Sequence, residues 1–200
     1  MKFTTAAIAA SAAALVSASP CGTANTEIKT GDVFRIMTIR SGSDIQYGQL
    51  QAANGAFYVN TPSQNASCTP DVNYASFRLT DAGELYLNTE NPPQQAYVDR
   101  SGMGQGIFQY TTGAQGAGRN SERTGFTLDE NSNLIFKDQT NQEIGFQACP
   151  NALQGGYSVW LDITQNPGGN SNCVGFVARA LKEDEPVSCM YTSNLSLIHI

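Results

Sequence analysis

Phe77-Arg-Leu-Thr-Asp-Ala-Gly-Glu-Leu-Tyr-Leu87 sets two runs of alternating apolar and polar residues on either side of Asp81-Ala-Gly83. Period-two alternation puts one face of a strand in a core and the other in water. Asp and Gly between the runs supply the turn. The segment reads as a β-hairpin. Phe126-Thr-Leu-Asp-Glu-Asn-Ser-Asn-Leu-Ile-Phe136 repeats the plan, and Phe34-Arg-Ile36 opens the region in a comparable way. Starts at 34, 77 and 126 lie 43 and 49 residues apart. Three similar units of four strands make a β-trefoil-like barrel. We favour that slightly over a β-sandwich, which also contains matching hairpins.

The same alternation continues outward. Phe34–Arg40, Tyr157–Leu161 and Val174–Arg179 read as strands, separated by turn clusters at Asn91-Pro-Pro93 and Asn166-Pro-Gly-Gly-Asn170. No window after residue 20 holds an amphipathic helix. The fold class is all-β, in a single compact domain. Gly113–Arg123 is the longest strand-free stretch and reads as an exposed loop within that domain.

Composition narrows the function. The 200-residue chain is 40% hydrophobic, with nine Phe and eight Tyr, enough for a core. Only 14% of residues are charged, against about 25% in ordinary soluble domains. The net charge is −6, and the eleven Lys and Arg form no run. A nucleic-acid partner is excluded, because phosphate binding needs a basic footprint.

Met1-Lys2, the apolar Ala6–Val16 and Val16-Ser-Ala18 form a secretory signal peptide, cut after Ala18. Its apolar run falls short of the roughly 20 residues of a membrane span, and no membrane partner is expected after cleavage. Residues 1–18 are assigned to the signal, 19–30 to an N-terminal arm and 31–192 to the all-β domain. Residues 193–200 form a tail of doubtful authenticity, apolar and carrying the only His.

Secretion makes disulfides the default for Cys21, Cys68, Cys149, Cys173 and Cys189. Five cysteines allow 15 ways of forming two bridges. Cys173–Cys189, closest in sequence, and Cys68–Cys149 are the preferred pairs, leaving Cys21 as a free or cross-linking thiol. The alternative is that Cys21 pairs and another cysteine is spare. No metal site and no cofactor are expected: there is no C-x-x-C, and the sole His lies in the tail. Asn65-Ala-Ser67 is an N-glycosylation sequon in a turn.

No catalytic constellation stands out. A triad requires a base, usually His, and none is available outside the tail. Asp99, Asp129, Asp138 and Asp162 could supply opposed carboxylates for glycoside hydrolysis; chance among 17 acidic residues explains them better. Asp99, Arg100, Ser101, Gly102, Met103, Gly104, Gln105 and Gly106 look like a phosphate loop. However, the spacing is G-x-G-x-G and a strand follows, so we read a tight turn. Trp160 either enters the core or faces out, where it and the tyrosines could stack on sugars.

Ser63–Cys68, Tyr97–Gly106, Tyr110–Gln115, Ala148–Asn151, Asn172–Gly175 and Ser188–Thr192 together resemble the phiA-type cell wall proteins of filamentous ascomycetes. The resemblance spans the mature chain to Thr192, and V-D-R-S-G-M-G-Q-G is its most specific string. It implies a secreted, non-catalytic wall glycoprotein linked to phialide and conidium development, allergen-like in some members. It also carries over the Asn65 sequon, and it gives residues 99–106 as a family signature without an assigned role. The expected partners are cell wall polysaccharide or other wall proteins. The alternative reading is a secreted carbohydrate-binding, lectin-like module. A secreted inhibitor or effector has only the 113–123 loop in its favour.

Overall fold

A computed structural model describes residues 27–193. The signal peptide, Cys21, most of the arm and the tail beyond Ser193 lie outside the described residues. Within them, 16 strands and two short 3-10 turns are found. The first unit holds β1 (Val33–Ile39), β2 (Leu50–Ala53), β3 (Ala56–Val59), β4 (Ser67–Thr69) and β5 (Ser76–Leu79). The second holds β6 (Leu85–Leu87), β7 (Gln94–Asp99), β8 (Ile107–Thr112), β9 (Ser121–Glu122) and β10 (Phe126–Leu128). The third holds β11 (Asn133–Lys137), β12 (Glu143–Ile144), β13 (Phe146–Cys149), β14 (Tyr157–Leu161) and β15 (Val174–Lys182). A final strand, β16 (Ser188–Met190), pairs with β4.

The pairings follow trefoil-like order. Each unit's second and third main strands form a hairpin: β2–β3, β7–β8 and β13–β14. Strands β3, β8 and β14 pair with one another through Ala56↔Gln109, Tyr157↔Val59 and Trp160↔Ile107. The outer strands of the units pair as β15–β1, β1–β5, β5–β6, β10–β11 and β11–β15. A six-strand ring needs one more contact. The Phe126 N–H supplies it by donating to Gly83 O at 3.0 Å.

The two sequence-identified hairpins are present. Phe77 faces Leu87, and Phe126 faces Phe136. Their place in the repeat differs from the reading above. Phe77 and Phe126 close their units, whereas Phe34 opens one; the units start at Val33, Leu85 and Asn133. Each F-x-L hairpin therefore straddles a unit boundary. The third boundary is non-covalent, with β15 against β1 and Ala180 opposite Ile36.

A second repeat runs through the inner hairpins. Gln51-Ala52, Gln95-Ala96 and Gln147-Ala148 occupy β2, β7 and β13, and all three alanines are fully buried. The Gln51 amide donates to Thr61 O at 2.9 Å and accepts from Thr61 N–H at 2.7 Å. The Gln147 amide donates to Leu161 O and Thr164 O. Gln51 and Gln147 are thus buried polar residues made tolerable by backbone partners.

Phenylalanines hold the units together. Phe108 stacks on Phe57 at 4.1 Å between centroids and meets Phe146 at 5.3 Å and Phe126 at 5.7 Å. Phe77, Phe34, Phe136 and Phe176 extend the cluster through further ring contacts. One side chain from β8 thus touches rings of all three units.

Candidate functional site

The signature segment is a closed turn joining β7 to β8. The Asp99 carboxylate accepts from Ser101 N–H at 2.9 Å, and Asp99 O accepts from Gly106 N–H at 2.8 Å. The Ser101 hydroxyl accepts from Gly104 N–H at 3.2 Å. A side chain at Gly104 would put its Cβ 2.5 Å from Asp99 O. Gly106 sits at φ +89° against Leu161 O, a region that suits glycine. Gln105 accepts from Gly168 N–H at 2.7 Å, which ties the turn to the Asn166–Asn170 loop. Met103, 94% exposed, forms the tip.

Arg100 faces the other way. Its guanidinium makes two 2.8 Å bonds to the Glu122 carboxylate, lies 3.6 Å from Asp138 and sits over the Phe136 ring. A bidentate arginine–carboxylate pair fixes orientation as well as charge. It also corrects the reading of 113–123 as strand-free. Ser121–Glu122 forms β9 against β7, and Arg123 reaches Gln95 and Thr111. Gly104→Ala should lower unfolding stability by about 1–3 kcal/mol, because the added methyl is blocked by backbone. Urea unfolding of the purified chain measures this; no loss would mean that the turn can relax.

The four aspartates flagged above are not drawn together as a site. Asp129 accepts from the amides of Asn131 and Asn133 and from the Asn133 side chain, each at 2.8 Å. Burial alone would raise its pKa, but the hydrogen bonds from Asn133 and Asn131 outweigh burial and hold the carboxyl below its usual value. Asp138 is held low first by the Thr140 hydroxyl, then by the Gln142 and Thr140 amides. Asp99, Asp129 and Asp138 organise their own turns, and Asp162 is exposed at the end of β14.

The disulfides cross the expected pairing. Cys68 bonds Cys189, and Cys149 bonds Cys173. Closeness in sequence misled, because β4 and β16 lie side by side with Cys68 opposite Cys189. The C-terminal segment is clasped there. Buried Tyr191 exchanges two bonds with the buried Gln94 amide, donating its N–H at 3.1 Å and accepting on its carbonyl at 2.8 Å. Its hydroxyl accepts from Ser76 N–H at 3.0 Å. Burial pushes the Tyr191 phenol up to about 12. Nothing in the local sequence marks Gln94 or Tyr191 as partners.

Two surface residues complete the description. Asn65 is exposed, as glycan transfer requires. Trp160 is half-buried, its Nε1–H donating to Ser158 Oγ. A Cβ at Gly168 would lie 2.7 Å from its ring, so the 166–170 turn covers this face. Trp160 is no open platform.

These features define a class: a β-rich chain locked by two long-range disulfides, with a sequon on its surface. The sequence model of a family described as PhiA-like secreted protein matches residues 34–192, and the chain belongs to that family. It is 42% identical over 196 residues to a cell wall protein phiA of Emericella nidulans, spanning 96% of this chain and all of that protein. Proteins of the same name from Aspergillus fumigatus and Aspergillus niger are 45% and 43% identical, each spanning 92% of this chain and 96% of theirs. No solved structure matches. The family match ends at Thr192, next to the clasped Tyr191.

Proposed function

We propose that this chain is a non-catalytic structural glycoprotein of the fungal cell wall that serves phialide and conidium development. The full-length similarity to several proteins named for the cell wall carries the reading. The fold is consistent with it. Asp99, Arg100, Asp129, Asp138 and Gln94 are committed to turns and clasps, and the disulfides suit an extracellular life. After signal cleavage the chain carries Cys21 near its N-terminus, ahead of the folded domain. Cys21 forms a mixed disulfide with a wall neighbour, and Asn65 carries an N-glycan. Deleting the gene should reduce phialides and conidial yield, with restoration by the intact chain. Unchanged sporulation would overturn the developmental role.

A further inference from the structure

The β1–β2 loop presents one aromatic ring in an unusual way. Tyr47 is 67% exposed, on a backbone with φ +61° that non-glycine residues seldom adopt. The loop beneath it is fixed. Tyr47 N–H donates to Thr38 O at 2.9 Å, and Gly48 N–H donates to Ile45 O at 3.0 Å. The hydroxyl of fully buried Thr38 bonds the carbonyls of Ile45 and Gly48. Gly48 lies too close to Val59 and Asn60 to carry a side chain. The ring is therefore held out by a rigid scaffold.

Tyr47 borders an open cleft of about 380 Å³, whose lining includes Gln49, Gln51, Asn60, Thr61 and Asn73. None of its lining residues is charged. Gln51 and Asn73 spend their amides on Thr61, Pro62 and Gln64. By contrast, buried Gln49 Oε1 and Thr61 Oγ1 find no partner among the described residues. Thr61 itself is only 3% exposed. A buried polar atom left unpaired costs free energy that a ligand hydroxyl can recover.

The geometry points to a binding site for a neutral saccharide chain at this cleft. The Tyr47 ring stacks on the apolar face of a sugar, and Gln49 Oε1 and Thr61 Oγ1, both buried beside the cleft, meet its hydroxyls once their side chains turn toward it. An uncharged lining favours neutral sugars over charged ones. The cleft volume sits at the small end of the roughly 300–1,000 Å³ usual for ligand sites. Its open form suits a chain passing across the surface. Two sources share this chemistry: a wall polysaccharide, or the chain's own glycan at Asn65. A second cleft holding Asn65 shares Pro62 and Asn73 with this one.

This inference deepens the wall reading by supplying a contact. Its failure would leave wall residence untouched, since residence is read by fractionation. The test is calorimetric titration of the secreted, glycosylated chain and its Asn65→Gln variant with laminarihexaose, mannohexaose and chitohexaose. At least one hexasaccharide should bind. Tyr47→Ala should weaken it about tenfold or more and Thr61→Val about fivefold. Tyr47→Phe should bind as the parent does. The thermal midpoint of Tyr47→Ala should match the parent, because the ring is exposed. Binding by Asn65→Gln alone would identify the chain's own glycan as the resident ligand. Absence of binding in both forms at millimolar sugar, or equal binding by Tyr47→Ala, would overturn the site.

Discussion

Replacing Cys68 and Cys189 together by serine is expected to lower unfolding stability by about 5 kcal/mol, by the chain-entropy estimate for a long loop. The bridge joins residues 121 apart. It binds β16 to β4 and so holds the segment from which Tyr191 enters the core. Without it, the Gln94 and Ser76 bonds to Tyr191 must hold the chain end alone. Cutting Cys149–Cys173, which spans 24 residues, should cost less, about 3.5 kcal/mol on the same estimate. Denaturant unfolding of the two double-serine variants gives the comparison. An equal or smaller loss at Cys68–Cys189 would show that the C-terminal clasp does not depend on its bridge. Serine replaces both members of each pair, so neither substitution leaves a bridge cysteine without its partner.

Phe108→Ala is expected to cost about 3–5 kcal/mol, the range for removing a large ring from a packed core. Phe108 is fully buried and touches Phe57, Phe126 and Phe146, one ring from each neighbouring hairpin. A cavity there separates the units instead of loosening one of them. Phe108→Leu keeps most of the volume and should lose about half as much. Thermal unfolding followed by near-ultraviolet circular dichroism measures both. A loss under about 1 kcal/mol for the alanine variant would mean that the three units are stable apart.

The strands were legible because alternation is a local signal. Phe77–Leu87 and Phe126–Phe136 each contain both strands and their turn, so no distant partner was needed to see them. The phase of the repeat was not legible in that way. The matching boundary between β15 and β1 is made by the two ends of the domain, and no hairpin sequence marks it. The Gln-Ala pairs at 51, 95 and 147 do carry the repeat, but two residues stand out poorly among many glutamines and alanines. Disulfide pairing failed for a similar reason. Cys68 and Cys189 meet because β4 and β16 pair across the whole domain, and sequence distance says nothing about that.

Residues 99–106 show how a specific string can be structural. Gly104 and Gly106 answer to steric limits set by Asp99 and Leu161, while Arg100 is taken up by Glu122. The Tyr47 cleft left no comparable mark in the sequence. Its character rests on one tyrosine being exposed and on two polar atoms lacking partners, and both facts exist only after folding.

Residence in the wall is the claim on which the functional account turns. Walls isolated from sporulating mycelium, washed in salt and hot detergent and probed for the tagged chain test it most directly. The expected result is retention of the chain in washed walls, with release by a thiol reductant. Finding the chain only in the culture medium, with none in the wall fraction, would contradict it.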